Sequence, residues 1–318
     1  MKIGFTLPHM GEIATPENIA YAARFGDAEG FDSLWVLDRT LLAVNPQSPY
    51  PAFPDGRWPD VYKTVMDPIE TLTYVAAITS RIKLATGIIA MLYQNPLILA
   101  NRLAALDNLS KGRLLLGLGV GHSKDEFQAA GVPFENRGER ADEFLQVLNK
   151  IWYNNTVEHD GKYYNIPKSI INPKPYQAKI PIYLGGFSQK ALDRIVSSES
   201  KGWIGIPSLD VESFKQGRDD LKKTAHLQRR DPDSIEFLAN VFPEVTKEDL
   251  SSDRMPMNGS IRQIVDDIKA LEKLGITHIN LSFDFSSPSQ NLNERLLYAK
   301  QIRDAIVPSV LTPEIPRK

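Results

Sequence analysis

The chain has 318 residues, 42% apolar and 24% charged, with a net charge of −2, a balance typical of a globular domain able to bury a large core without staples. It has no cysteine, which excludes disulfides, thiolate metal sites and a cysteine nucleophile and fits a reducing compartment. The small net charge excludes a global basic field for nucleic acid or membrane, residues 1–8 are too soon broken for a signal peptide, and no stretch approaches the ~20 apolar residues of a bilayer span, so a cytoplasmic location is expected.

Short runs rich in Val, Ile and Leu alternate with amphipathic stretches along the chain. The predicted strands are residues 2–7, 33–37, 83–89, 113–118, 181–184, 202–206, 235–242 and 278–283. Most are apolar on both faces, as parallel strands covered on both sides require. Helix starts between them are signed by Thr15-Pro16, by Asp67-Pro68-Ile69-Glu70 with the acid of a capping box, by Asn95-Pro96 and by the capping box Ser260 to Gln263. Gly275 stops the helix that Ser260 opens. A last helix covers about residues 291–306, and the tail from Pro308 reads as extended. The expected fold class is α/β: a single (β/α)₈ TIM barrel over residues 1–318, with insertions after strands 2, 4 and 7. A doubly wound open sheet is the alternative.

Three connections are long. Residues 38–66 follow strand 2 and carry Pro46, Pro49, Pro51, Pro54 and Pro59 among Tyr50, Phe53, Trp58 and Tyr62. Residues 154–179 precede strand 5 and suggest a small hairpin around Asp160-Gly161. Residues 243–259 follow strand 7. The first and third leave the carboxyl ends of strands, where barrel active sites lie, and are candidate lids or tolerated surface insertions.

The glycines at the end of strand 4, Gly117, Gly119 and Gly121, are a tight exit or a place where a flat ring nears the backbone. They are no dinucleotide fingerprint, because His122 takes the sixth position. Gly185-Gly186-Phe187-Ser188 leads strand 5 into a helix start, where free N–H groups can take an anion or simply form a capped turn. None of the five histidines has metal-ligand spacing, so no metal is expected. His159, His226 and His278 read as structural, while His9 and His122 fall past strand ends within reach of a ligand. Asp38 and Arg39 follow strand 2, as active-site groups or as a loop anchor. Asp38 with Asp284 is the one carboxylate pair a hydrolase could use.

Gly119-Val120-Gly121, Asp125-Glu126-Phe127, Ala130 to Phe134 and Arg137-Gly138-Glu139-Arg140 appear in order. They continue through Asp142-Glu143 to Ile151-Trp152, then Gly161 to Tyr164, Pro173-Lys174-Pro175 and Pro181 to Gly186. Asn95-Pro96 and Gly275 to His278 extend the pattern. Together they resemble the signature of the luciferase-like flavin and deazaflavin oxidoreductases over nearly the whole chain. The resemblance implies a barrel binding coenzyme F420 or FMN at the strands' carboxyl ends, and it is nearest to the deazaflavin branch. Val120 stands where FMN monooxygenases place a phosphate-holding arginine. Arg39 stands where many members have a histidine, and His122 where some have glutamate. The resemblance further implies a non-prolyl cis peptide at Gly87–Ile88 against the ring, with the cofactor phosphate on the N–H groups of Gly186, Phe187 and Ser188. The expected cofactor-binding residues are therefore Gly87, Ile88, Gly119, Gly121, Gly185, Gly186, Phe187 and Ser188.

The expected activity is hydride transfer from reduced F420 to a small organic substrate. His122 would hold a proton near neutrality, Arg39 would bind an oxygen of the substrate, and Asp38 would orient Arg39 or His122. The alternatives are an FMN-dependent monooxygenase using O₂, a flavin-binding protein without turnover, and a barrel hydrolase. The expected partners are a small-molecule substrate, a second copy of the chain and a separate reductase supplying reduced cofactor.

Overall fold

The structure, a computed structural model, describes residues 1–51, 55–198, 200–207, 211–285 and 291–307. Phe53, Pro54 and the tail from Pro308 lie outside the described residues. Eight parallel strands form the barrel: β1 (Lys2–Thr6), β2 (Ser33–Val36), β3 (Lys83–Thr86), β4 (Leu114–Gly119), β5 (Ile182–Gly185), β6 (Gly202–Gly205), β7 (Glu236–Val241) and β8 (Ile276–Leu281). Each predicted run supplies one of them. Neighbours pair in the order 3-2-1-8-7-6-5-4, and Leu84 opposite Leu114 joins β3 to β4 and closes the ring. That pairing excludes the open sheet.

The run predicted as one strand over 83–89 is divided. Its ladder with β2 ends at Thr86, the Gly87–Ile88 peptide is cis, and Ile89–Ala90 then pairs with Leu118 and Gly119 of β4. Helices α1 (Pro16–Glu29), α2 (Pro68–Ile78), α3 (Pro96–Leu109), α4 (Lys124–Ala129), α5 (Arg137–Tyr153), α6 (Gln189–Ser197), α7 (Val211–Leu227), α8 (Ile261–Lys273) and α9 (Leu292–Ile306) surround the barrel. The hairpin expected around Asp160-Gly161 is present, with Val157–Asp160 antiparallel to Asn165–Ser169. None of the described helices is long and apolar enough to cross a membrane.

The caps read from sequence work locally. Thr15 accepts from the Asn18 amide at 3.2 Å, Asn95 from Leu97 at 2.9 Å, and Ser260 and Gln263 form a reciprocal box. Each such cap is worth ~1 kcal/mol. The box expected at Asp67 is only half made. Asp67 accepts from Ile69 and Glu70, but the Glu70 carboxylate takes the Arg102 guanidinium at 2.6 Å instead of reaching back.

Apolar burial falls into three clusters. The largest lies between sheet and helices, where Leu34, Leu84 and Leu116 meet Leu72, Leu103 and Phe144. A second, Trp35, Ala85, Tyr183, Ile204 and Leu238, fills the barrel interior. A third packs Met10, Tyr50 and Tyr62 with Trp58 and Phe285 beneath the long β2 connection. The inner cluster carries a polar relay: the Trp35 indole N–H donates to Ser33 Oγ at 2.6 Å, and Ser33 Oγ lies 2.6 Å from His278 Nε2. Burial pushes His278 down to about 3, so it folds as a neutral ring.

A histidine whose pKa is lowered on folding stabilises the native state above its unfolded value of ~6.5. That stability is lost as pH falls from there towards about 3, because only the unfolded chain takes the proton. The difference in unfolding free energy between the wild type and His278→Gln should therefore shrink between pH 7 and pH 4, by up to ~1.4 kcal/mol per pH unit. Urea titrations at several pH values measure it, and a pH-independent difference would contradict the buried neutral assignment.

Candidate active site

At the carboxyl ends of the strands lies a cavity of about 700 Å³, within the usual range for a small-molecule site. Its lining brings together Asp38, Arg39, Gly87, Ile88, His122 and Phe187, all singled out from the sequence. Gly119, Gly121, Gly185, Gly186 and Ser188 are not among the lining residues.

The strand-end glycines act differently from the flat-ring reading. A Cβ on Gly119 would lie 1.9 Å from Ile88 Cδ1, and Gly121 faces the Tyr93 hydroxyl. These positions make room for the Ile88 and Tyr93 side chains, not for a ligand. Gly186 adopts φ +123°, which L side chains rarely adopt. That turn carries the chain from β5 into α6, where Ser188 caps by accepting from Ala191 at 3.3 Å. Phe187, packed edge-on against Trp203 at 5.0 Å, brings this turn to the cavity edge.

One wall is polar. Asn240 donates to the Gly87 carbonyl at 3.0 Å and accepts from Asn280 at 2.9 Å, and Asn280 also donates to Thr6 Oγ1 at 2.9 Å. Asn240, Asn280 and Ser282 line the cavity and were not picked out from sequence. Their signal was present: each is a polar residue within or at the end of an otherwise apolar strand run.

The opposite wall is built on Arg39. Its Nη1 donates to Glu126 of α4, whose other oxygen accepts the Thr40 amide at 2.8 Å. The Arg39 and Glu126 side chains are only 8% and 1% exposed. Arg39 also lies over Trp58 at 4.6 Å and Tyr62 at 5.0 Å. The expectation that Asp38 orients Arg39 or His122 is thus corrected for Arg39. Glu126 holds it, while Asp38 accepts from the Ala90 amide at 3.0 Å.

His122 meets surroundings that its place in the sequence does not suggest. Burial and the Arg39 charge push His122 down to about 4, so it is neutral at pH 7, stacked 5.5 Å from Trp58. Burial raises Asp38 to about 6, with Glu126 adding to the rise. Of these two, Asp38 titrates nearer neutrality. Two buried atoms at this wall, Arg39 Nε and His122 Nε2, have no hydrogen-bond partner. Unsatisfied buried donors are costly, and here they sit on side chains that line a cavity.

The remaining candidates are structural. His9 bridges Leu7 O at 2.9 Å and the Leu37 backbone, and is absent from the cavity lining. His159 lies between Lys150 and Glu143. Asp284, the second acid of the hydrolase pair, does not line the cavity; it meets Ser282 and Arg295. Of the two candidate lids, residues 38–66 supply lining side chains and residues 243–259 supply none. No metal cluster occurs among the described residues.

Removing one partner of a buried ion pair leaves the other uncompensated and costs ~3–5 kcal/mol, whereas replacing both by apolar groups costs less. Glu126→Leu should accordingly lose several-fold more stability than Arg39→Met with Glu126→Leu together, in guanidinium unfolding. Equal losses would show that the pair is not energetically linked.

The luciferase-like monooxygenase family model matches residues 1–253. An uncharacterised protein of Mycobacterium tuberculosis is 33% identical over 195 residues, 61% of this chain and 69% of the relative. The F420-dependent glucose-6-phosphate dehydrogenase of Kineococcus radiotolerans is 29% identical over 64% of this chain and 58% of its own length. Among solved structures, the monooxygenase RslO1 of Streptomyces bottropensis superposes with a TM-score of 0.79 at 18% identity, covering 97% of this chain and 99% of its own. The F420-dependent tetrahydromethanopterin reductase of Methanopyrus kandleri gives 0.73 at 19% identity, covering 96% and 98%. These two share the fold. With four-fifths of its length matched by the family model, the chain belongs to the luciferase-like monooxygenase family, whose members are F420- or FMN-dependent oxidoreductases and monooxygenases.

Proposed function

We propose that the protein is a deazaflavin-dependent oxidoreductase that moves a hydride from reduced F420 to a small organic substrate. The observation that carries this reading is a cavity of about 700 Å³ at the strand ends, whose lining joins Asp38, Arg39 and His122 with Gly87 and Ile88. Its size and its mixed apolar and polar lining suit a planar ring system and a small substrate. F420 supplies the hydride when bound, which is the cofactor's own chemistry. Relatives named F420-dependent support the choice of cofactor. So does Val120, packed against the core where an FMN phosphate would call for arginine.

Ile88 and the Gly87 backbone would carry the ring face, with Asn240 fixing the Gly87 carbonyl from behind. The α6 start would hold the phosphate at its edge, on the amides of Gly186, Phe187 and Ser188. The free first-turn N–H groups of a helix give that end about half a positive charge. Gly119 acts indirectly, by making room for Ile88, and Gly121 by making room for Tyr93. Asp38 is the residue that handles the proton. With its pKa at about 6 it is partly protonated near neutrality, as a general acid requires. His122, neutral at pH 7, hydrogen-bonds and does not donate its last proton. Arg39 supplies positive charge at the cavity wall.

If Asp38 is the general acid for reduction, its protonated form is active, and kcat/KM should fall as pH rises through about 6. Asp38→Asn should remove that limb and slow turnover by ~10²-fold or more, whereas His122→Ala should keep the limb. The reverse pattern would return the proton to His122. Fluorescence titration with oxidised F420 and oxidised FMN decides the cofactor. Binding of FMN without F420 would replace this reading with the FMN-dependent monooxygenase.

A further inference from the structure

We infer that Asn240, turned by Asn280 and Thr6, is the positioning residue of the ring seat. It is a strut across the barrel mouth that fixes the Gly87–Ile88 peptide against which the cofactor ring lies. The inference rests on the oxidoreductase reading and adds to it side chains that act from behind the seat. Its first ground is topology. In the ring order 3-2-1-8-7-6-5-4, β7 stands opposite β3. Opposite strands share no ladder. The Asn240 side chain instead spans the interior to the Gly87 carbonyl at the exit of β3, 153 residues away in the chain, at 3.0 Å. Only glycine allows that approach: a Cβ on residue 87 would lie 2.9 Å from Trp35 Cε3 and 3.3 Å from Asn240 Oδ1.

The second ground is polarity. A carbonyl only accepts, so Asn240 must turn its amide nitrogen to Gly87 and its Oδ1 to Asn280. Asn280 is the register partner of Asn240 on β8 and donates to that Oδ1 at 2.9 Å. Its nitrogen also donates to Thr6 Oγ1 of β1 at 2.9 Å, which occupies its second hydrogen. Reversing either amide would set oxygen against oxygen, so the relay has one orientation. Asn240 and Asn280 are 5% and 0% exposed, and a buried, satisfied polar network is rigid.

The third ground is what holds the seat on its other side. The Asp38 amide donates to the Ile88 carbonyl at 3.2 Å, and the Ala90 amide donates to the Asp38 carboxylate at 3.0 Å. Residues 87–90 are thus gripped by Asp38 from β2 and by Asn240 from β7. Cutting the strut takes the Asn240 partner from the Gly87 carbonyl and leaves both Asp38 bonds in place. The seat then has more than one orientation, and ring binding weakens by the fraction of protein that holds the competent one.

The test reads the seat with and without a ring. Oxidised F420 is titrated into the wild type, Asn240→Ala, Asn280→Ala and the double variant. Fluorescence gives affinity, and circular dichroism in the ring's absorption band reports its surroundings. Hydrogen–deuterium exchange of residues 87–90 is followed without cofactor. Each single variant should weaken F420 binding by ~5-fold or more, the scale of a buried acceptor left unpaired, change the ring-band dichroism and speed that exchange. The double variant should bind within about twofold of the weaker single, because the two residues act as one unit, and losses that multiply would overturn the relay. Asp107→Ala removes a buried carboxylate, absent from the cavity lining, that accepts from Gln177 at 2.8 Å. It should lower stability and leave the dichroism and the exchange at 87–90 unchanged; changes equal to those of Asn240→Ala would reduce the strut to general stability and overturn it. If the asparagine variants fail to fold, Thr6→Val keeps the side-chain shape and removes the end of the relay. It should still alter the dichroism and the exchange, and no change in either would overturn the proposal. If the wild type binds FMN and not F420, the cofactor reading fails, and the same comparisons on the FMN bands judge the strut. F420 binding with wild-type affinity, dichroism and exchange in Asn240→Ala sinks the strut alone, and binding of neither ring sinks both.

Discussion

A buried guanidinium must have its charge and donors answered, and in this protein the carboxylate that answers Arg39 organises the working end of the barrel. Arg39 leaves β2 and is held by Glu126 of α4, 87 residues later. The same carboxylate takes the Thr40 amide, while Gln47 bonds Asp125 and Gln128 on that helix at 3.0 Å. The Pro- and aromatic-rich β2 connection is thereby fastened to α4, which puts Tyr50, Trp58 and Tyr62 over Arg39 and His122. The pair also acts on the two neighbouring titrations. Arg39 lowers His122 and Glu126 raises Asp38.

This arrangement is why we assign the proton-handling role to aspartate and not to histidine. An imidazole beside a cation in an apolar stack loses its proton easily, and a carboxylate beside another carboxylate keeps its own longer. Burial and neighbours thus set which residue titrates near neutrality, and residue type alone does not.

Much of the fold was legible because parallel strands buried on both faces leave unmistakable apolar runs, and because Thr15, Asn95 and Ser260 cap helices by local chemistry. The hairpin at Asp160-Gly161 was legible for the same reason. What was not legible depended on distance along the chain. The Arg39–Glu126 pair joins segments that no local pattern connects, although Glu126 lay within a recognised motif. Asn240 and Asn280 are single polar residues in apolar strands, and only the closed ring shows that they meet beside Gly87. Of the two readings of the strand 4 glycines, a tight exit and space for a flat ring, the contacts favour the first, because Ile88 and Tyr93 occupy that space. Residues 243–259 looked like a lid from position alone, but their chain is engaged elsewhere, with Arg254 paired to Asp267 of α8 at 2.7 Å.

The central claim is that the cavity between Ile88, Asn240 and the Arg39–His122 wall is where a deazaflavin ring meets its substrate. A crystal structure of the protein with F420 tests it most directly. The account predicts the ring against Gly87–Ile88, its reacting edge towards Asp38, Arg39 and His122, and its phosphate at the start of α6. A ring bound outside this cavity, or one whose reacting edge faces away from those three side chains, would contradict it.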